Sequence, residues 1–342
     1  MIRGDQPFRP WGRIDNVLSA TPAHDWAFIG CVSAEDRCSA VAANFAQYGS
    51  IKEKLVFRIA DRPSASTQVI ETKTDIAQGV FTANGFQGED FFSVALSDPF
   101  GLYTNELDEF FSNVQTDNLL IDITTLPKRV YFHIIKKIYQ NPDRFSDVLI
   151  TYSEPAQYCA ESLAANPEPW DALPGFRLGR GHSSEQRILI GIGFEPLGLP
   201  SLSEAGEFNN SSISFLFPFP ADQAANSKNW RFIRQVFPNA GQSGFDVKRI
   251  DAKNVPEIFD LICGEGDHGT NGILLAPFGP KPMSLAMALY AAKYSKPQNS
   301  PVGVYYTQPT YYHPDYSTGL KMAGANPLIN CYVLKAASNF LY

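Results

Sequence analysis

NLLIDITTLPKRVYFHIIKKIYQNPDRFSDVLITYSEP (residues 118–155) and GILLAPFGPKPMSLAMALYAAKYSKPQNSPVGVYYTQP (residues 272–309) share one order of features. Each opens on a short apolar run, 119–123 and 273–276. A polar turn with Pro-Lys follows, Pro127-Lys128 and Pro280-Lys281. A helical stretch, a Pro-containing loop and a second apolar run come next, 148–150 and 302–304. Both close on Tyr, a hydroxyl, Glu or Gln, and Pro: Tyr152-Ser153-Glu154-Pro155 and Tyr306-Thr307-Gln308-Pro309. A repeat at this spacing predicts two related units, each ending in strand, loop, helix and strand.

The flanking sequence fits the same plan. In the first half 26–32, 54–60 and 91–96 read as strands, and 34–48 and 106–114 as helices. In the second half 187–194, 212–219 and 245–251 read as strands, and 225–237 and 255–262 as helices. Short apolar runs alternating with helices predict an α/β fold: two tandem Rossmann-like units with mainly parallel sheets, related by internal duplication. The expected domains are 1–165 and 187–342. A Pro/Gly/Ser-rich linker, 166–186, joins them, and the tail from His313 is left unplaced.

The chain has 342 residues, 44% of them hydrophobic, enough for two cores. The net charge is -7 and no Lys/Arg run occurs, which argues against a nucleic-acid coat. The five cysteines form no CxxC and are expected to be free thiols of a reduced cytosol. No secretory leader or membrane span is expected, so the expected location is cytoplasmic.

In open parallel sheets ligands bind beyond the strand carboxyl ends, where strand order reverses. The expected ligand loops are therefore 30–37 and 124–129 in the first half, and 193–201 and 277–284 in the second. Thr124 and Thr125 supply hydroxyls, Lys128 and Arg129 cations, and the new helix its unpaired N–H groups. The second copy supplies Gly279, Lys281 and Ser284. Ser33 and Arg37 are placed to meet a phosphate, and Glu154 and Gln308 to line the rim. Each has a plain structural alternative: Thr125 as a helix cap, Pro127 as its first turn, the lysines as solvated charges, and residues 33–37 as a capping cluster. Gly191-Ile-Gly193-Phe-Glu195 lacks the rest of a dinucleotide fingerprint, and 264–272 reads as a solvent turn rather than a metal loop. Phosphate-loop, nucleophile-elbow and HExxH motifs are missing from the sequence. No metal and no cofactor is expected.

Asp122-Ile-Thr124-Thr125-Leu-Pro-Lys128 and Ala276-Pro-Phe-Gly279-Pro-Lys281-Pro-Met283-Ser284 resemble the strand–turn–helix motif of CARF-type Rossmann-like sensor domains. The family's Gly-Gly-Thr element is replaced here by Thr-Leu-Pro or Phe-Gly-Pro. The resemblance implies a sensor whose turns bind cyclic oligoadenylate, through Thr124, Thr125, Lys128, Gly279, Lys281 and Ser284. The expected function is thus a binding or sensor protein for a small nucleotide-like, phosphate-bearing ligand, held at the strand edges or in the groove between halves. Two alternatives stand beside it: a metal-independent enzyme cleaving a phosphodiester, and an interaction protein without ligand. A homodimer or a partner effector protein is the expected associate.

Overall fold

Residues 26–32, Trp-Ala-Phe-Ile-Gly-Cys-Val, are buried without a break, as a strand covered on both faces must be. They belong to β1 (His24–Val32), the centre of the first sheet in this computed structural model. The structure describes residues 8–19, 24–182, 186–204, 211–221, 223–238 and 245–342. Parallel neighbours of β1 are β2 (Gly49–Ala60) and β4 (Asn118–Asp122). β3 (Phe91–Ala95) extends the sheet beyond β2, and β5 (Asp147–Ser153) beyond β4. The parallel strands run in the order β5-β4-β1-β2-β3.

The second sheet repeats that order. β6 (Gln186–Gly191) lies between β7 (Ser211–Pro218) and β9 (Ile273–Pro277). β8 (Phe245–Ile250) and β10 (Val302–Tyr306) follow on either side, all parallel. The chain is an α/β protein with two mainly parallel, Rossmann-like sheets and nine α-helices among the described residues.

Two units separate by their internal contacts. One is Met1–Ile134, Gln140–Ser162 and Tyr311–Tyr342; the other is Ile135–Tyr139 and Leu163–Thr310. The expected boundaries differ from these most at the linker and the tail. Residues 311–342 were read with the second half, yet the tail strand Ile329–Ala336 runs antiparallel to β5, pairing Cys331 with Thr151. Trp11–Arg13 then pairs with that tail strand. CYVLKA alternates too little to reveal its partner, since both of its faces are buried. Residues 166–186 were read as linker, but Asp171–Ala172 adds an antiparallel edge to β10.

Helices follow the apolar pattern where it is strong. In α3 (Lys128–Gln140) the buried Val130, Tyr131, Ile134, Ile135 and Ile138 recur at helical spacing. α6 (Lys281–Tyr294) is buried from Pro282 to Ala292, which its Met-Ser-Leu-Ala-Met-Ala-Leu run allows. The predicted helix over 34–48 breaks into 3-10 turns around Ala40–Asn44. α1 (Thr67–Ala83) gives no such signal. It buries Thr74, Ala77 and Phe81 while Val69, Ile76 and Val80 are exposed, so polarity does not mark its inner face. α2 (Phe100–Asn113), α4 (Gln223–Val236) and α5 (Val255–Glu265) complete the main crossovers.

Candidate functional site

The strand order reverses beside β1 and beside β6, because their two neighbours belong to opposite directions of chain progress. The loops leaving β1 and β4, and those leaving β6 and β9, thus form the candidate ligand edge of each unit.

In the first unit this edge is tied from within. The buried Asp122 carboxylate accepts from the Thr124 backbone N–H at 3.1 Å and from the Thr124 hydroxyl. Thr124 Oγ1 in turn accepts from the Ser153 N–H at 2.9 Å, joining the ends of β4 and β5. Thr124 is fully buried, so its hydroxyl serves this latch. Thr125 Oγ1 donates to the Cys31 carbonyl at 2.7 Å and ties the loop after β4 to the end of β1. Arg129 donates to the Leu96 carbonyl and lies 5.6 Å from the Tyr103 ring. Lys128 is the first residue of α3 and is half-buried.

Arg37 lies inside the unit. Its guanidinium donates to Glu35 at 2.8 and 3.0 Å, and to the Tyr152 hydroxyl and the Ser153 carbonyl, each at 3.2 Å. Burial by itself would depress its pKa; Glu35 and the phenols of Tyr152 and Tyr158 outweigh this and push it up. Glu35 also accepts from the Ser317 hydroxyl, and Ser33 Oγ accepts from the Glu35 N–H at 3.2 Å. These contacts hold 33–37 within the first unit, and no side chain caps the turn that begins at Asp36. Glu154 accepts from Asn330 at 3.0 Å and Lys321 at 3.1 Å, which anchors the returning tail.

The second unit closes the same edge by packing. A Cβ on Gly193 would fall 2.1 Å from the Phe278 carbonyl oxygen, so only glycine lets the two loops meet. Gly279 faces the backbone of Gly191 and Ile192 and the Met283 sulfur; the space its missing side chain leaves is used by the chain itself. Ser284 is buried and its hydroxyl donates to the Gly279 carbonyl at 3.2 Å. Lys281 opens α6 and is half-buried, as Lys128 is at α3. Gln308 is buried and donates to the Pro309 carbonyl at 3.0 Å. Phe278 takes the position of Thr124, with Tyr306 5.0 Å away between ring centroids. An aromatic pair replaces the polar latch.

The hydroxyls of the closing signatures correspond as well. Ser153 and Thr307 are almost fully buried, and neither side-chain oxygen has a hydrogen-bond partner among the described residues. The sequence alone does not reveal this, because a hydroxyl at a strand end reads as a polar rim.

Elsewhere, residues 264–272 run from the end of α5 through a 3-10 turn at Asp267–Gly269, and Glu265 pairs with Arg187 at 3.2 Å and Lys248 at 2.9 Å. No group of three or more His, Cys, Asp or Glu side chains among the described residues is placed to hold a metal ion. All five cysteines are free, and only Cys159 is not buried. Burial raises the Cys331 thiol to about 12. A shallow cavity of about 420 Å³ opens at the amino edge of the first sheet, lined by Asp25, Lys52, Glu53 and residues 115–118. It is remote from the strand carboxyl ends, so strand polarity, rather than this cavity, locates the candidate edge.

The class these features define is a Rossmann-like α/β protein. No family model matches the chain, and no curated protein does. Among solved structures, it aligns with a C2-type ketoreductase from a modular polyketide synthase at 10% identity, covering 84% of this chain and 70% of that one, with a TM-score of 0.20. It also aligns with a ketoreductase domain from the bacillaene assembly line at 10% identity, covering 85% and 71%, with a TM-score of 0.19. Likeness at that level carries no argument about reaction or ligand. No helix among the described residues is long and apolar enough to cross a membrane.

Proposed function

We propose that the protein binds a small nucleotide-like, phosphate-bearing ligand at the strand carboxyl edges of its units. One observation carries this reading. In both units the helix after the fourth parallel strand begins on a half-buried lysine, Lys128 in α3 and Lys281 in α6. A cation at a helix start, the positive end of the helix dipole, favours an anion. Thr124 and Ser284 support these turns and Glu154 holds the returning tail, while Gln308 bonds the Pro309 carbonyl. The CARF-type resemblance makes cyclic oligoadenylate the first ligand to test. The shared strand order of the two sheets supports an origin by duplication.

The interaction-protein reading is favoured by a different observation: the loops that face the switch points are sealed, by Thr125 to Cys31 in one unit and Gly193 against Phe278 in the other. Calorimetric titration with cyclic oligoadenylates separates the two. Lys128→Ala and Lys281→Ala are expected to weaken binding about tenfold or more each, with unchanged melting temperature. Absence of binding to wild-type protein favours the interaction protein.

A further inference from the structure

We propose that the carboxyl edge of the second sheet, at β7 and β8, carries a stacking platform for the base of a nucleotide. This rests on the phosphate-bearing-ligand reading and adds the part of the ligand that reading leaves open.

Large rings at a strand end are ordinarily packed away. Here Phe217 is 2% exposed, whereas Phe219, just past the end of β7, is 48% exposed. Trp230 of α4 is 38% exposed although its ring lies 5.0 Å from that of Phe217. A buried ring therefore underpins an indole whose outer part meets water. The guanidinium of Arg249, an exposed residue near the end of β8, sits 5.9 Å from the Phe219 ring centroid. Lys228 lies 5.0 Å from the ring of Phe194, which follows β6. Arg234, one helical turn beyond Trp230, is exposed. Asp251, two residues from Arg249, accepts from the Lys253 N–H at 2.9 Å, and Glu195, next to Phe194, accepts from the Leu163 N–H at 3.3 Å.

Flat apolar faces accompanied by cations select a flat aromatic group that carries negative charge. In a chain of net charge -7, such a local arrangement marks a preference. A neutral apolar partner would make no use of Arg249 or Lys228. Base stacking on exposed aromatic side chains tolerates any base, and the phosphate supplies the charge. Placement fits this division of labour. β7 and β9 flank β6, so the strand that leads into the platform and the strand that leads into the Lys281 turn are two strand spacings apart, about 10 Å.

The test is calorimetry, with tryptophan fluorescence, on the full chain and on Trp230→Ala, Phe219→Ala and Trp230→Phe. The probes are 5′-phosphorylated linear tetra-adenylate, cyclic oligoadenylate and inorganic phosphate. The proposal expects a nucleotide probe to bind more tightly than phosphate. Trp230→Ala and Phe219→Ala should each weaken it by about 5- to 100-fold, and Trp230→Phe should retain most of the affinity. Melting temperatures show that the variants fold. Unchanged affinity in both alanine variants overturns the platform; if Lys281→Ala then loses affinity, the phosphate reading survives alone. Loss in Trp230→Ala with none in Lys281→Ala keeps the platform and removes the lysine assignment. No nucleotide binding to wild-type protein removes both.

Discussion

Asp61 follows the last residue of β2, and burial raises its carboxyl to about 6 against the pull of a backbone hydrogen bond from Tyr312. The folded chain therefore holds this proton more tightly than the unfolded chain does. Stability from it is complete below about pH 4 and is lost as pH rises through about 6. Asp61→Asn should match wild-type stability near pH 4 and exceed it by about 1 kcal/mol at pH 7.5, a value reduced for partial exposure. Urea melts at the two pH values measure this; a pH-independent difference would count against the raised carboxyl. Ser153 and Thr307 give a second residue-scale expectation. A buried hydroxyl without a partner costs desolvation that it does not recover. Ser153→Ala and Thr307→Val should thus be neutral or stabilising by up to about 1 kcal/mol. A loss larger than that in thermal melts would mean each hydroxyl holds an ordered water. Valine is the proper replacement at Thr307, because its methyl group lies 3.2 Å from where a Cβ on Gly198 would be.

At the scale of elements, closure of each switch point depends on one short contact. Gly193→Ala drives a methyl into the Phe278 carbonyl and must displace the loop after β6 or β9. A loss of about 3 kcal/mol or more in chemical denaturation is expected; a loss below 1 kcal/mol would show that the loops have slack. Legibility in the sequence also divides by element. Strands β4, β5, β9 and β10 are legible because both faces are apolar, with Pro-Lys turns at the exits of β4 and β9 and the Tyr-hydroxyl-Glu/Gln-Pro endings at those of β5 and β10. α1 was not, because its exposed side carries Val69, Ile76 and Val80 while its buried side uses Thr74 and Ala77. The candidate site was half legible. The turns at Lys128 and Lys281 lie where reading predicted, yet the inward roles of Thr124, Arg37 and Glu154 depend on partners as distant in sequence as Ser153, Tyr152 and Asn330. Spacing within one motif carries no information about those partners. Phe219 and Trp230 were passed over because exposed rings cannot be told from core rings without the fold.

For the whole molecule, the two sheets share a strand order and differ in how the order is finished. The second is edged by Asp171–Ala172, which precedes its parallel strands, whereas the first is extended by Ile329–Ala336, which follows the parallel strands of both sheets. That difference sets a timetable for synthesis. Chains emerge from the ribosome amino end first, at about 5–20 residues per second. The parallel strands of the first sheet emerge early, but β5 must present an unpaired edge until residues 329–336 are made. The second unit has its strands in hand by Thr310, before that edge is covered. An open edge of this kind is a template for pairing with other chains. Translation of Ile329–Ala336 thus decides how long the earliest-made sheet is exposed to its neighbours on the polysome, and a nascent chain stalled near residue 310 would be the species most in need of a chaperone.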